Sequence, residues 1–256
     1  MSLVAAVILA VVAFATSIVS AILGMAGGVM LLAVMLCFMS HGEAIPTHAA
    51  VQIASNGTRV LAFIRNVDVN AFLRFCGGVI PGGAIGIGLL WWLGPAQDSE
   101  PYLKMLIGAY ILAATFIPKP KGDGRAGRWW DFPLMGLAAG TAALTVGAVG
   151  PLIAPLFARR DFVKERLIAT KATCQLATHV IKIPAFLLMR DLPVARLGAL
   201  AVVMIVVVIP GTLIGKRILT GVPERWFVIA YRAALTLAGL KVLLVDGVWR
   251  LPMWSG

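Results

Sequence analysis

Long apolar runs, separated by short polar, proline-marked or glycine-marked breaks, cover almost the whole of the 256-residue chain. Runs such as Leu3 to Leu23 and Ala71 to Leu93 suffice for a helix to cross a ~30 Å hydrocarbon core, which takes about 20 residues. The composition agrees, because 60% of the residues are hydrophobic and only 13% are charged. The sequence therefore predicts an all-α, polytopic integral membrane protein with room for about eight to ten spans and almost none for a soluble domain.

The charge balance and the spacing of the cysteines indicate which partners and cofactors the protein is expected to bind. Lysine and arginine number 22 against 11 acidic residues, but basic loops in a membrane chain report orientation, so we expect the lipid bilayer and no nucleic acid as partner. Cys37, Cys76 and Cys174 lie in apolar segments without CxxC or histidine-rich spacing, which indicates core residues. No phosphate-binding loop occurs either. We expect no metal and no cofactor.

A polar stripe interrupts an apolar helix in the first half of the chain and recurs in the second half. The segments are "THAAVQIASNGTR", residues 47–59, and "TKATCQLATHVIK", residues 170–182. The stripe consists of Gln52, Asn56 and Arg59 in the first copy and of Gln175, His179 and Lys182 in the second copy. Members of each copy stand at i, i+4 and i+7, so they share one side of a helix. The offset between the copies, from Gln52 to Gln175, is 123 residues.

Two more sequence blocks are duplicated in the same order. "PGGAIG", residues 81–86, recurs as "PGTLIG", residues 210–215. Upstream, "GMAGGVMLLA", residues 24–33, has a weaker counterpart in "VGAVGPLIAP", residues 146–155. Three matching blocks in one order indicate an internal duplication, and a repeat of this size is typical of half a transporter.

The duplication predicts membrane repeats at residues 1–117 and 132–256, joined by a cytoplasmic linker at residues 118–131 that carries four basic and two acidic residues. The basic segment "ARRDFVKER", residues 158–166, is expected on the same side, so the segment before it must enter the membrane and return. We therefore predict broken or re-entrant helices and inverted repeats. A single crossing of each broken segment would instead make the repeats parallel.

The glycine-rich breaks are candidate binding sites, because non-helical backbone inside a bilayer needs protein or a water-filled cavity around it. Helices that begin near Gly28 and Pro151 would direct free N–H groups and positive dipole ends at the midplane, as an anion site requires. The alternative is that glycines only let helices pack closely. We favour this alternative for the pair Gly82 and Gly86 and for the pair Gly211 and Gly215. We favour the anion site for Gly24, Gly27, Gly28, Gly147 and Gly150.

The stripe has two interpretations. In an inverted pair the two striped helices cross near the pseudo-two-fold axis, which brings Gln52 and Gln175 together and places Arg59 and Lys182 toward opposite faces. Amides and cations would then line one cavity, as intramembrane ionisable residues usually do. Alternatively the side chains only bond helices together, at about 1 kcal/mol each. Duplication of the whole stripe favours the ligand site.

The predicted substrate-binding residues combine the stripes with the breaks. They are Gly27, Gly28, Gln52, Asn56, Arg59, Gly150, Pro151, Gln175, His179 and Lys182. His48 and Lys171 precede the glutamines by about one turn and are candidates for gating, or else reach the interface as amphipathic side chains. No acidic residue lies deep in a predicted span, so any coupling would use His48, His179 or protonation of the substrate.

"GMAGG", "GAVGPLIAP", the two "T-x-A-x-x-Q" copies and "N-V-D" at residues 66–68 resemble the TauE/SafE family of sulfite exporter-like transporters over nearly the entire chain. Ala26 and Ala33 stand where that family often has glycine and proline. The resemblance implies a multi-pass protein of the bacterial inner membrane. Its expected substrate is a small sulfur-containing anion, such as sulfite or an organosulfonate like sulfoacetate, moved outward or sometimes inward.

The sequence thus predicts a secondary transporter, expected to be an exporter, that works by alternating access of the two repeats. An anion channel is the alternative, and a structural membrane subunit is a third reading. We expect no enzyme, because His41, His48 and His179 are scattered and neither HExxH nor GxSxG occurs. The oligomeric state is left open, with a dimer as one option.

Overall fold

The computed structural model describes residues 2–23, 26–94, 96–116, 128–158, 164–189, 193–218 and 224–251. Within these ranges the chain is helical and contains no strand, which confirms the predicted all-α class. The helices are α1 (Leu3–Leu23), α2 (Ala26–Met35), α3 (His41–Ala62), α4 (Val69–Trp92), α5 (Ala96–Phe116), α6 (Asp131–Thr145), α7 (Gly150–Ala158), α8 (Lys164–Val180), α9 (Lys182–Met189), α10 (Val194–Ile218) and α11 (Glu224–Leu240).

The distribution of apolar residues is that of a membrane protein. Four helical stretches in the described part of the chain are long and apolar enough to cross a membrane: Leu3–Ser20, Val69–Trp92, Arg166–Met189 and Val194–Gly215. Large apolar side chains face outward along them, as Leu188 does with 87% of its surface exposed. Several polar side chains are buried inside instead. This arrangement suits a lipid environment and supports a membrane location for the protein.

Close helix packing depends on glycine at two contacts. Helix α4 packs on α6, where a Cβ added at Gly82 would lie 2.1 Å from the carbonyl oxygen of Leu137. Helix α10 packs on α1, where a Cβ added at Gly211 would lie 2.0 Å from Ser17 Oγ. A larger residue at either position would push the facing helix or side chain away, which supports the packing interpretation of these two glycines.

The predicted break of the second half is present. Helix α6 ends at Thr145 and α7 begins at Gly150. Between them, Gly147 has φ +85° and donates its N–H to the Ala142 carbonyl at 2.9 Å. This left-handed conformation is one that glycine adopts without strain, and it ends α6. In the first half α1 ends before residues 24–25, so the predicted site residue Gly24 lies outside the described residues.

One helix is interrupted where the sequence predicts continuity. The apolar run from Leu167 to Met189 is long enough to predict a single helix, but α8 ends at Val180 and α9 begins at Lys182. Pro184 gives the physical reason, because it has no N–H to donate to the Val180 carbonyl four residues earlier. The interruption is one residue long, because the Ile181 N–H still donates to the Ala177 carbonyl at 3.3 Å and the Ala185 N–H to the Ile181 carbonyl at 3.4 Å.

Candidate functional site

A cavity lies where α1, α2, α3, α7 and α8 meet. In this state it encloses room for about one water molecule. The lining consists of Ser20, Gly28, Val29, His48, Gln52, Arg59, Ala148, Val149, Gly150, Gln175 and His179. Six of the predicted substrate-binding residues and the candidate gate His48 are therefore brought together from both halves of the chain. We call this space the anion cavity.

Two helix N-termini face the anion cavity. Gly28 lies in the first turn of α2, and Gly150 is the first residue of α7. First-turn N–H groups have no partner within their own helix, and the helix dipole adds a partial positive charge there. A Cβ added at Gly28 would lie 3.1 Å from Gln52 Nε2. Glycine at this position therefore lets the glutamine amide approach the start of α2.

Arg59 brings a positive charge to the cavity. Its Nη2 donates to Ser20 Oγ at 2.7 Å and to Ser55 Oγ at 3.0 Å, and its Nη1 donates to Asn56 Oδ1 at 3.3 Å. All three acceptors are neutral, and the buried Nε has no hydrogen-bond partner among the described residues. The hydroxyls hold the guanidinium in place without cancelling its charge, so the charge remains available to an anion.

Two histidines and a lysine form a connected set beside the cavity. His48 Nε2 lies 2.9 Å from the Gly28 carbonyl oxygen, which can only accept, so Nε2 carries the proton. The rings of His48 and His179 lie edge to face with centroids 5.5 Å apart. Lys182 Nζ donates to the Gly147 carbonyl and lies 3.0 Å from His179 Nδ1. The lysine thus holds both the break and the histidine ring.

The remaining predicted residues lie around the anion cavity rather than in its lining. Asn56 holds Arg59, and Lys182 reaches the lining through its hydrogen bond to His179. Pro151 and Lys171 line neither this cavity nor the second cavity beside it, although Lys171 is buried.

A second cavity adjoins the first at Ser20 and Gln52, which line both. It also encloses room for about one water molecule. The lining consists of Ala13, Thr16, Ser17, Ser20, Gly27, Leu31, Gln52, Ser55 and Val208. We call it the hydroxyl cavity. Sequence reasoning missed it, although three hydroxyl residues within one turn and a half of an apolar helix are a readable signal.

No acidic residue lines either cavity, and no group of three histidine, cysteine or acidic residues within the described ranges could hold a metal ion. The groups that converge are an arginine, two amides, imidazoles, hydroxyls and helix N-termini. Such a set of donors and positive fields suits a small anion, and it offers no counter-charge to a cation.

Comparison with known proteins identifies the family of the chain. No curated protein sequence and no solved structure gives a significant match to the chain. The family model described as "Sulfite exporter TauE/SafE" matches residues 9–242, a span that contains both polar stripes and both glycine-rich breaks. The chain therefore belongs to the sulfite exporter TauE/SafE family, a family of membrane transporters.

Proposed function

We propose that this protein is a secondary transporter that exports a small sulfur-containing anion, such as sulfite or an organosulfonate, across the bacterial inner membrane by alternating access of two inverted repeats. The observation that most directly supports this proposal is the anion cavity. Arg59, the amides of Gln52 and Gln175, and two helix N-termini converge there, and no carboxylate lines the cavity.

The donors of the cavity suit a sulfite or sulfonate group. Such a group has three oxygen atoms that accept hydrogen bonds from several directions at once. Gln52 and Gln175 are 7% and 8% exposed, so their amide groups act in a site largely shielded from water. Hydrogen bonds to a charged group are worth about 1.5–3 kcal/mol each where water is excluded. Together they offset the loss of the anion's hydration.

Helix packing supports inverted repeats. The N-terminal part of α3 meets the C-terminal part of α8, where the rings of His48 and His179 are in contact. The other end of α3 leads to Asp68, whose N–H donates to Thr170 Oγ1 near the start of α8 at 2.9 Å. Equivalent helices that run antiparallel are related by an axis in the membrane plane, whereas parallel repeats would place them parallel. The contacts of α4 with α6 and of α1 with α10 also exchange with one another under this symmetry.

Two ion pairs between the halves fit the movement that alternating access requires. Glu43, in the first turn of α3, pairs with Arg196 in the first turn of α10. Asp68, which caps α4, pairs with Arg166 in the first turn of α8 at 2.7 Å. Glu43 and Arg166 are 123 positions apart, the offset of the stripes. The pairs lie near opposite ends of α3, which is about 33 Å long, so rocking would open one while the other holds.

The binding step is tested by thermal stabilisation of the purified full-length protein in detergent against sulfite, thiosulfate, sulfoacetate, isethionate, sulfate and chloride. A sulfur anion is expected to raise the Tm, and the double variant Gln52→Ala/Gln175→Ala is expected to lose that shift. The control is Thr115→Val, which removes a buried hydroxyl of α5 away from both cavities. A full shift in the double variant would place the site elsewhere.

The transport step is tested in liposomes. Counterflow of labelled against unlabelled substrate that saturates with concentration is expected from a carrier. Linear, voltage-driven current without counterflow would contradict the carrier and indicate an anion channel.

The rocking step is tested by accessibility. Ala148, which lines the anion cavity, is replaced by cysteine in a chain whose three native cysteines are replaced by alanine. Glu43→Gln is expected to increase labelling by a membrane-impermeant thiol reagent from one side, and Asp68→Asn from the other. Equal labelling from both sides in each variant would contradict alternating access.

A further inference from the structure

The imidazole of His48 carries a buried nitrogen atom, Nδ1, that has no hydrogen-bond partner among the described residues. His48 is 1% exposed and lines the anion cavity. Resting on the proposed function above, we propose that His48 Nδ1 binds a proton together with the substrate anion, so that the transporter moves the two in the same direction.

The hydrogen bond of the other ring nitrogen determines what His48 Nδ1 can do. Nε2 donates to the Gly28 carbonyl at 2.9 Å, so in the neutral ring Nε2 carries the hydrogen and Nδ1 carries a lone pair. A charged ring would carry a second N–H at Nδ1, for which the described residues offer no acceptor. The ligand-free structure therefore fits a neutral ring. The bond to Gly28 is compatible with both states, so the ring can take up a proton without moving.

The other imidazole that lines the anion cavity has no such free lone pair. Lys182 Nζ lies 3.0 Å from His179 Nδ1 and, as an ammonium group, donates to it. A proton at His179 Nδ1 would break this hydrogen bond and leave two N–H donors facing each other. His48 is therefore the imidazole of the cavity that can accept the proton.

The titratable and charged side chains that face His48 from the surrounding helices are all basic: His179, Lys182 and Arg59. Helices α1, α2 and α7 contribute only neutral residues to the lining. Glu43 on α3 is paired with Arg196 of α10. On α5, which also contacts α3, Glu100 and Lys104 pair with each other at 3.0 Å. The cavity thus supplies no carboxylate to balance a proton on His48.

The balancing charge comes from the substrate. A proton on His48 adds positive charge beside Arg59 and Lys182, and like charges repel strongly where water is scarce. An anion that enters the cavity lies against His48, because the enclosed space is no larger than about one water molecule. Its negative charge offsets the repulsion. The anion and the proton therefore each favour binding of the other.

Joint binding determines the net charge that crosses the membrane. Lys171 occupies the position of the second half that is equivalent to His48, but it lines neither cavity, so one proton accompanies each anion. The proton is taken from water on the side where the anion enters and is released with the anion on the other side. A dianion then crosses with a single net negative charge, and an inside-negative membrane potential drives it outward.

The number of protons taken up on binding tests the proposal. Isethionate and thiosulfate are titrated into the full-length protein in nanodiscs, in buffers with different ionisation enthalpies. Neither anion takes up a proton itself near neutral pH. We expect uptake of about one proton per bound anion, and an affinity that falls about tenfold for each pH unit above neutrality.

His48→Gln keeps a donor for the Gly28 carbonyl but takes up no proton near neutral pH. It is expected to bind the anions without proton uptake and with an affinity that no longer depends on pH. His41→Gln is the matched control. His41 lies on the same helix, is 2% exposed, and its Nε2 lies 3.0 Å from the Thr145 carbonyl, but it lines neither cavity. This variant is expected to keep the full proton uptake.

The coupled movement is measured in liposomes whose membrane potential is clamped with potassium and valinomycin. An outward isethionate gradient is expected to carry protons outward, so a trapped pH dye should report a rise of the internal pH. His48→Gln should show no such rise. Proton movement opposite to the anion, or none in the unchanged protein, would overturn the proposal.

The outcomes separate this inference from the proposed function. Binding of the anions to the unchanged protein without proton uptake would overturn the proton site and leave the anion cavity standing. Full uptake in His48→Gln would also overturn it. Failure of both anions to bind would overturn the proposed function and this inference together. If His48→Gln does not fold, the other two of the three histidines decide the question. Uptake retained in both His41→Gln and His179→Gln assigns the proton to His48, and its loss in either would overturn the proposal.

Discussion

The two copies of the polar stripe share a pattern but differ in their surroundings. In the first copy α3 runs unbroken from His41 to Ala62, and Arg59 lies among neutral hydroxyls with its charge directed to the anion cavity. In the second copy the helix is interrupted at Ile181, and Lys182 donates to the carbonyl of Gly147. We expect Arg59 to serve the ligand, whereas Lys182 holds the backbone.

The difference follows from the chemistry of the two side chains and from their neighbours. The guanidinium of Arg59 presents several donors in a fixed plane, which can bond two serines and still face the cavity. Lysine is a compact point charge that fits a single carbonyl and an imidazole nitrogen. The second half also contains the described break at Gly147, whose carbonyl needs a donor. A duplicated position therefore does not imply a duplicated role.

The largest expected effect on stability comes from Lys182→Met. Lys182 is fully buried, and methionine of similar length would leave the Gly147 carbonyl and His179 Nδ1 without a donor. The expected loss is about 3 kcal/mol of unfolding free energy, measured by denaturation in mixed micelles. Lys241→Met is the control, because Lys241 is half-exposed in its pair with Asp246, and its loss should cost less than about 1 kcal/mol. Equal effects would contradict a structural role of Lys182.

Arg59→Gln is expected to act on the ligand instead. Loss of one charge-assisted contact of about 2 kcal/mol corresponds to roughly 30-fold weaker binding of the sulfur anion. The change in Tm of the ligand-free protein should be smaller than that of Lys182→Met. Arg65→Gln is the control, since Arg65 is exposed just beyond the same helix. The proposed difference between Arg59 and Lys182 would be wrong if Arg59→Gln unfolded the protein and the fraction that stayed folded bound the sulfur anion with unchanged affinity.

Gly28→Ala tests the role of the glycine-rich break between α1 and α2. The added Cβ would lie 3.1 Å from Gln52 Nε2, so the amide must shift by a few tenths of an ångström. Anion affinity should fall about threefold to tenfold, which titration detects. Gly57→Ala is the control: no atom lies within 4 Å of its Cβ, and alanine should stabilise α3 by about 0.5–1 kcal/mol. Unchanged affinity in Gly28→Ala would remove Gln52 from the site.

The smallest effect concerns Asp68. Burial favours its neutral form, but hydrogen bonds from the Ala71 N–H and from Arg166 outweigh this and lower the pKa of the carboxyl below its usual value of 3.8. A lowered folded-state pKa contributes stability above the unfolded pKa that is lost as the pH falls through the folded one. Asp68→Asn should therefore be less stable than the unchanged protein, by under about 1 kcal/mol since Arg166 is half-exposed, above about pH 4. Melting curves should converge as the pH falls further, and a constant difference would exclude the charge as the cause.

The sequence predicted most features of the fold, because these features depend on periodicity and composition. The bounds of α1 agree with the apolar run from Leu3 to Leu23, and the break before Gly150 follows from glycine and proline. The interruption at Ile181 was missed, because Pro184 is tolerated in the first turn of a helix and bends or ends one elsewhere, and the pattern alone does not say which.

The sequence by itself determined the helical class, the membrane character, the duplicated stripe and most residues of the anion cavity, because burial in lipid makes each polar residue of an apolar helix significant. Only the tertiary structure decided which hydroxyls hold Arg59, which carbonyl Lys182 satisfies, and that Thr16 and Ser17 face a second cavity. Those partners lie up to 39 residues apart in the chain, as Ser20 does from Arg59. Contacts at such separations are set by how helices pack, which the local pattern of one helix does not encode.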